Sequence, residues 1–267
     1  MNLLEGKEIV KDFRLKREGI WGKRRSFRAV DHVNIALGEQ MTIGIVGESG
    51  SGKSTLGEIL GNLQKQTEGI VLYKGKDISK MNDKEYRDYR RNVQFIFQNP
   101  TESMNPYYTI EKVLKEPMQL LLDDYNEEKA SEQIEIMLEK VGLASGYLRR
   151  YPSELSGGQC QRVAIARALL LNPEVIVCDE CVSALDVSVQ AQILNLLKSL
   201  QKEFKTSYLF ISHDIGVINY ISDYVIVMVK GQLIEEGNTE NILNHPVKGY
   251  TRQLITSSLF TEEAVCV

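Results

Sequence analysis

Short apolar runs punctuate the first hundred residues and return in the last hundred, with a polar block between them. Residues 7–13 (KEIVKDF) and 30–37 (VDHVNIAL) alternate apolar and polar positions, the pattern of half-buried edge strands. Residues 41–46 (MTIGIV) form a short apolar run that flows into GESGSGKST and then LGEILGNL, which predicts strand, glycine loop and helix in succession. GIVLY (69–73) and VQFIF (93–97) predict further strands. From about 99 to 172 the chain turns polar and helical. Within EEKASEQIEIMLEKVGL the spacing puts Ala130, Ile134, Met137, Leu138 and Val141 on one helix face, with a start near Asn126 and a stop at Gly142. Strand runs return as EVIVC (174–178), SYLFI (207–211) and YVIVMV (224–229), separated by helical stretches at 187–203 and 214–221. Strands alternating with helices predict an α/β fold with a mostly parallel sheet in three layers. The central block, residues 99–172, reads as an inserted helical lobe.

Composition narrows the class. The 267 residues are 43% apolar and 25% charged, enough to bury a core in one main domain over 1–267 and too apolar for wholesale disorder. A formal net charge of −4 argues against a broad basic surface for nucleic acid. The segment RLKREGIWGKRRSFR (14–28) holds seven basic residues among fifteen. It reads as a patch for anionic lipid or nucleic acid, or as a solvated loop between two strands, and the acidic total favours the loop. No run of 18 apolar residues exists, so the chain is not expected to cross a membrane. MNLLEGKEIVKDF lacks a signal-peptide core, which places the protein in the cytoplasm. Of the four cysteines, Cys178 and Cys181 form a C-x-x-C (CDEC). That spacing suits a redox pair or half a zinc site. The apolar run ending in Cys178 favours a small hydrophobe in a buried strand.

The chemistry concentrates in a few stretches. Gly47-Glu48-Ser49-Gly50-Ser51-Gly52-Lys53-Ser54, followed by Thr55, fits G-x-x-x-x-G-K-[ST] between a predicted strand and a predicted helix. Glycines let backbone N–H groups curl around an anion, and the helix adds its positive end. Lys53 reaches β- and γ-phosphates, and the Ser54 hydroxyl suits Mg²⁺. VIVCD ends an apolar strand on Asp179, a second oxygen ligand for the metal, and Glu180 follows at once. If the strand continues, neighbours point opposite ways, so Glu180 faces an attacking water as general base. His213 ends the strand SYLFIS, where ligands gather in α/β folds, and reads as a γ-phosphate contact. LSGGQ (155–159) offers a second glycine-rich helix start, without a lysine.

Taken together, these stretches resemble the nucleotide-binding subunit of ABC transporters. GESGSGKST resembles the Walker A motif, VIVCDE the Walker B motif, and LSGGQ the signature motif. Gln98 resembles the Q-loop glutamine, Ser183-Ala184-Leu185-Asp186 the D-loop, and His213 the switch histidine. Phe13 stands where the family places an aromatic that stacks on adenine. The resemblance covers residues 7 to about 240. It implies a P-loop NTPase core (RecA-like) with antiparallel N-terminal strands, ATP and Mg²⁺ as ligands, and Gln98 as a further metal contact. QNP (98–100) through SMNP (103–106), and the tail with His245-Pro246 and Tyr250-Thr251, resemble the importer subfamily for oligopeptides, dipeptides and nickel. Three positions depart from that pattern: Tyr107 for an arginine, Lys248-Gly249 for a second His-Pro, and Cys181 for an alanine or proline.

In that family two cassettes sandwich two ATP molecules, each ATP between one P-loop and the partner's signature loop. The resemblance therefore implies that Ser156, Gly157, Gly158 and Gln159, with Asp186 of the D-loop, serve ATP held by a neighbour. It also implies a second ATPase subunit that is a non-identical paralogue, two transmembrane permease subunits, and indirectly an extracytoplasmic solute-binding protein. The expected location is the cytoplasmic face of the membrane. Peptide, nickel and metal–chelate cargo all fit, because cargo contacts lie on other chains. Residues 237–267 are expected to form a short C-terminal extension, and Cys266 alone there predicts no iron–sulfur centre. The competing class is a soluble ABC-type ATPase acting on nucleic acid or ribosomes. Such proteins carry paired cassettes or long coiled-coil inserts, which this chain lacks.

Overall fold

The computed structural model describes residues 2–14 and 26–263, with side chains through residue 257. Residues 15–25 of the basic segment, and Cys266, lie outside the described residues. In chain order the elements are β1 (Asn2–Arg14), β2 (Ser26–Gly38), β3 (Thr42–Val46), α1 (Lys53–Leu60), β4 (Glu68–Tyr73), β5 (Lys76–Asp77), α2 (Asp83–Asn92) and β6 (Val93–Ile96). They continue with α3 (Ile110–Leu121), α4 (Glu127–Lys140), α5 (Gly157–Leu169), β7 (Val175–Asp179), α6 (Val187–Phe204) and β8 (Ser207–Ser212). The last are α7 (Ile215–Ile221), β9 (Tyr224–Val229), β10 (Gln232–Asn238), α8 (Thr239–Asn244) and α9 (Gly249–Glu263). The chain divides into two compact units, Met1–Met81 with Leu209–Val267, and Asn82–Tyr208.

The first unit holds an antiparallel sheet in the order β2-β1-β4-β5 and a run of strands in the order β10-β9-β3-β8. β3 lies parallel to β9, and β10 returns antiparallel to β9. β3 is buried along its whole length, as a strand covered on both faces must be, and it delivers the chain into the glycine loop. Ile45, Leu56, Ile59, Phe210, Val225 and Val227 are at most 1% exposed. The alternation at 7–13 predicts an edge strand, but β1 is interior, paired to β2 on one side and β4 on the other. Alternation reports one solvated face, and an interior strand of an antiparallel sheet has that too.

The second unit carries β6 and β7 as a parallel pair, with Val93 opposite Val175 and Ile96 opposite Cys178. Its helices have readable starts. The Asn126 side chain accepts from Lys129 N at 3.0 Å, and the predicted apolar face of α4 is buried. α2 was not legible as apolar periodicity, because Tyr89 is its only buried residue. It forms on a reciprocal cap: Asn82 Oδ1 accepts from Glu85 N, and Glu85 Oε2 accepts from Asn82 N, both at 3.0 Å. Tyr208 is fully buried and donates its hydroxyl to Leu197 O at 3.1 Å.

One irregularity fixes the register of the antiparallel sheet. β1 bulges between Lys7 and Val10 against β4, and Glu8 sits at φ 51°. Gly69 of β4, at φ 86°, lies under that bulge, and a Cβ there would fall 2.2 Å from Glu8 O. Gly69→Ala combines a disfavoured backbone with a backbone clash. We expect it to lower unfolding free energy by about 3 kcal/mol, read from chemical denaturation.

Candidate active site

The phosphate-loop residues Gly47 to Thr55 lie in the first unit, between β3 and α1. Gly52 occupies the helix N-cap at φ 101°, where a Cβ would meet Ala29 O at 2.1 Å. Only glycine fits there. No side chain caps α1, and its N-terminus faces the loop. Lys53 is 3% exposed, and its ammonium donates to Gly47 O and Glu48 O, both at 2.8 Å. Ser51 Oγ is buried with no hydrogen-bond partner among the described residues. Glu48 N donates to the Tyr250 hydroxyl at 3.2 Å. Glu48, Ser49 and Gly50 are exposed at the rim.

The carboxylates lie in the second unit. Asp179 ends β7 and is 9% exposed. The expectation that Glu180 diverges from it by strand alternation is corrected. The strand stops at Asp179, and Glu180 adopts φ 45°, in the left-handed region. The turn, and not the pleat, aims its side chain. Gln98 Nε2 donates to Glu180 Oε2 at 3.0 Å and approaches Ser183 Oγ at 3.4 Å. Ser183 Oγ donates in turn to the Glu180 carbonyl at 2.9 Å. The structure therefore brings Gln98 and Glu180 into direct contact and adds Ser183, which the expected site omits. Its signal was its place in the SALD stretch.

LSGGQ starts a helix, as its composition predicts. Ser156 is the N-cap of α5; its Oγ accepts from Gln159 N at 3.4 Å, and Gln159 Oε1 accepts from Ser156 N at 2.9 Å. Gln159 Nε2 also donates to the Tyr147 hydroxyl at 2.8 Å. Gly157 is exposed and Gly158 half-buried, with Val189 Cγ1 only 2.7 Å from where a Cβ at Gly158 would sit. Asp186 is the exposed residue preceding α6. In the first unit, Phe13 lies near the end of β1 with Lys11 Nζ 5.2 Å from its ring centroid. His213 is exposed immediately after β8.

Comparison with known proteins identifies the arrangement. A family model described as ABC transporter matches residues 30–183. The oligopeptide transport ATP-binding protein OppF of Escherichia coli (strain K12) is 43% identical over 257 residues, covering 96% of this chain and 77% of that protein. The corresponding AppF of Bacillus subtilis (strain 168) is 44% identical over 256 residues, covering 96% and 78%. This chain belongs to the ABC transporter family. The dipeptide transport ATP-binding protein DppF of Haemophilus influenzae is 44% identical, over 91% of this chain and 74% of that one. A solved dimeric ATP-binding cassette, in a post-hydrolysis state bound to ADP and Pi, superposes with a TM-score of 0.78 at 30% identity, covering 89% of this chain and 99% of that one. The protein is thus an ABC-type ATPase that binds nucleotide.

Within this ABC cassette Cys178 lies in β7 and Cys181 in the turn just beyond it. Cys178 is fully buried and Cys181 1% exposed. A hydrogen bond shared with Cys181, together with burial, pushes the Cys178 thiol well above its ordinary value. Among the described residues no helix is long and apolar enough to cross a membrane.

The Gln98 contact yields a test. Gln98→Ala removes the hydrogen bond from Gln98 Nε2 to the Glu180 carboxylate. ATPase turnover should fall at least about tenfold, with ATP affinity changed less than about twofold. Steady-state turnover and equilibrium nucleotide binding measure the two separately.

Proposed function

We propose that this chain is the ATP-hydrolysing subunit of a membrane importer for oligopeptides or dipeptides. The observation that carries the reading is the set of relatives at 43–44% identity, covering at least 91% of this chain, all of them named as peptide-transport ATP-binding proteins. Those names favour peptide over nickel or metal–chelate cargo, and a membrane transporter over a soluble ATPase on nucleic acid or ribosomes. The working assembly pairs the chain with a second ATPase subunit, a non-identical paralogue; the dimeric cassette bound to ADP and Pi supports the pairing itself. Two permease subunits complete it, with a solute-binding protein acting through them, and hold the cassette at the cytoplasmic face of the membrane.

The residues divide the work. Lys53 and the uncapped N–H groups of α1 take the β- and γ-phosphates, within the loop from Gly47 to Thr55. The orphaned Ser51 hydroxyl is the kind of group that a bound oxyanion or ordered water satisfies. Phe13 stacks on the adenine. Ser54, Gln98 and Asp179 present only oxygen donors, the donor set that suits Mg²⁺. The ion, when bound, offsets negative charge on the phosphates. Glu180 orients the attacking water and accepts its proton, held in place by Gln98. His213 contacts the γ-phosphate. Ser156, Gly157, Gly158, Gln159 and Asp186 serve the partner cassette's ATP. Donors arriving from a second chain make hydrolysis depend on assembly, since phosphoryl transfer is mostly positioning and charge stabilisation.

Three measurements test this reading. Glu180→Gln should bind ATP normally and lose nearly all turnover, since a general base is typically worth about 10²–10⁴ in rate; more than about a tenth of normal activity removes Glu180 from the role. Ser156→Arg should bind ATP at this chain's own loop yet fail to form the ATP-dependent dimer, seen by size-exclusion chromatography with ATP. Reconstituted with its permeases, the complex should take up a labelled tripeptide only with ATP. Uptake of nickel in place of peptide would overturn the cargo assignment.

A further inference from the structure

The Gly47–Glu48 peptide is gripped at both ends. Its carbonyl oxygen accepts from Lys53 Nζ at 2.8 Å, and its N–H donates to the Tyr250 hydroxyl at 3.2 Å. Tyr250 stands in the first turn of α9, far along the chain from the loop it touches. That turn is itself anchored. The Glu235 carboxylate of β10, 9% exposed, accepts from Val247 N at 2.7 Å, from Lys248 N at 3.1 Å and from the Thr251 hydroxyl. Burial opposes ionisation of Glu235, but the bonds from Thr251, Val247 and Lys248 outweigh it and hold the carboxyl below its ordinary range. The anchor is therefore charged throughout neutral pH. Arg252 ties the same turn to Pro246 O and Val247 O, at 3.0 and 2.8 Å.

We infer that Tyr250 is a positioning residue for nucleotide capture, fixing the Gly47–Glu48 peptide and so setting where the Lys53 ammonium rests before phosphate arrives. The inference rests on the chain being an ATP-binding cassette. An arriving phosphate must draw Lys53 away from the Gly47 and Glu48 carbonyls. A peptide plane held at its N–H cannot rotate with the departing ammonium, so the loop keeps its shape as the lysine moves. Released at that end, the plane turns freely and the loop has to be ordered by the ligand, at a cost in affinity. The grip plays no part in water attack. It acts on binding and leaves turnover at saturation alone.

Tyr250→Phe in the full-length chain removes the hydroxyl and keeps the ring. One net hydrogen bond corresponds to about a two- to tenfold effect on an equilibrium constant. A fluorescent ATP analogue should therefore bind with a Kd raised by that factor. KM for ATP should rise in parallel, with kcat and the thermal midpoint unchanged. Thr251→Val, which loosens the anchored turn, should also raise Kd and additionally lower the thermal midpoint. A wild-type Kd in Tyr250→Phe overturns the inference. So does a variant in which Kd, kcat and thermal midpoint worsen together, since that marks general destabilisation. A wild-type chain that binds the analogue but does not turn over ATP when assembled with its partner ATPase subunit and permeases contradicts the hydrolytic function, while the binding comparison still decides the role of Tyr250. A wild-type chain that binds no nucleotide sinks both.

Discussion

A buried ammonium sets the terms for the phosphate site. Lys53 is almost wholly removed from water, and in the loop its ammonium donates to two backbone carbonyls. Burying a cation is costly unless polar partners meet it, and the loop turns its own carbonyl oxygens to that task. The surrounding sequence serves this one constraint. β3 is apolar throughout so that it can bring the chain to the loop through the core. Gly52 turns the chain where no Cβ fits, and α1 begins without a side-chain cap.

In the second unit the Glu180 carboxylate and α5 are connected by a short segment. Gln98 bonds Glu180, and five residues on, Ser103 accepts from Arg167 of α5 at 2.8 Å through its carbonyl and 3.1 Å through its hydroxyl. Burial lowers the pKa of the Arg167 guanidinium, with Glu116 partly offsetting it. The residues from 98 to 103 therefore link the Glu180 carboxylate to the helix that begins at Gly157.

The strongest signals in the sequence were local ones. GESGSGKST could be read because strand, loop and helix follow one another directly. The start of α4 could be read because Asn126, a capping residue type, stands just before an apolar stripe. What was not legible depended on partners far away or on backbone angles. The interior position of β1 is decided by β4, some sixty residues later. The left-handed turn at Glu180 has no side-chain signature, since glutamate is an uncommon choice there. Tyr250 and Glu48 lie 202 residues apart, and no periodicity relates them. α2 lacks an apolar stripe, so only its capping pair marks it.

The buried sulfur pair at the end of β7 has a practical consequence. Maleimides and iodoacetamide attack thiolates, and neither finds one readily here: Cys178 and Cys181 are shielded from solvent, and the Cys178 thiol is held protonated far above neutral pH. Cys160 is buried as well, and burial pushes its thiol upward too. The native sulfurs around Asp179 and Glu180 are thus silent to alkylation in the folded protein. A cysteine introduced on an exposed loop can carry a spectroscopic label while the thiols at the end of β7 stay untouched.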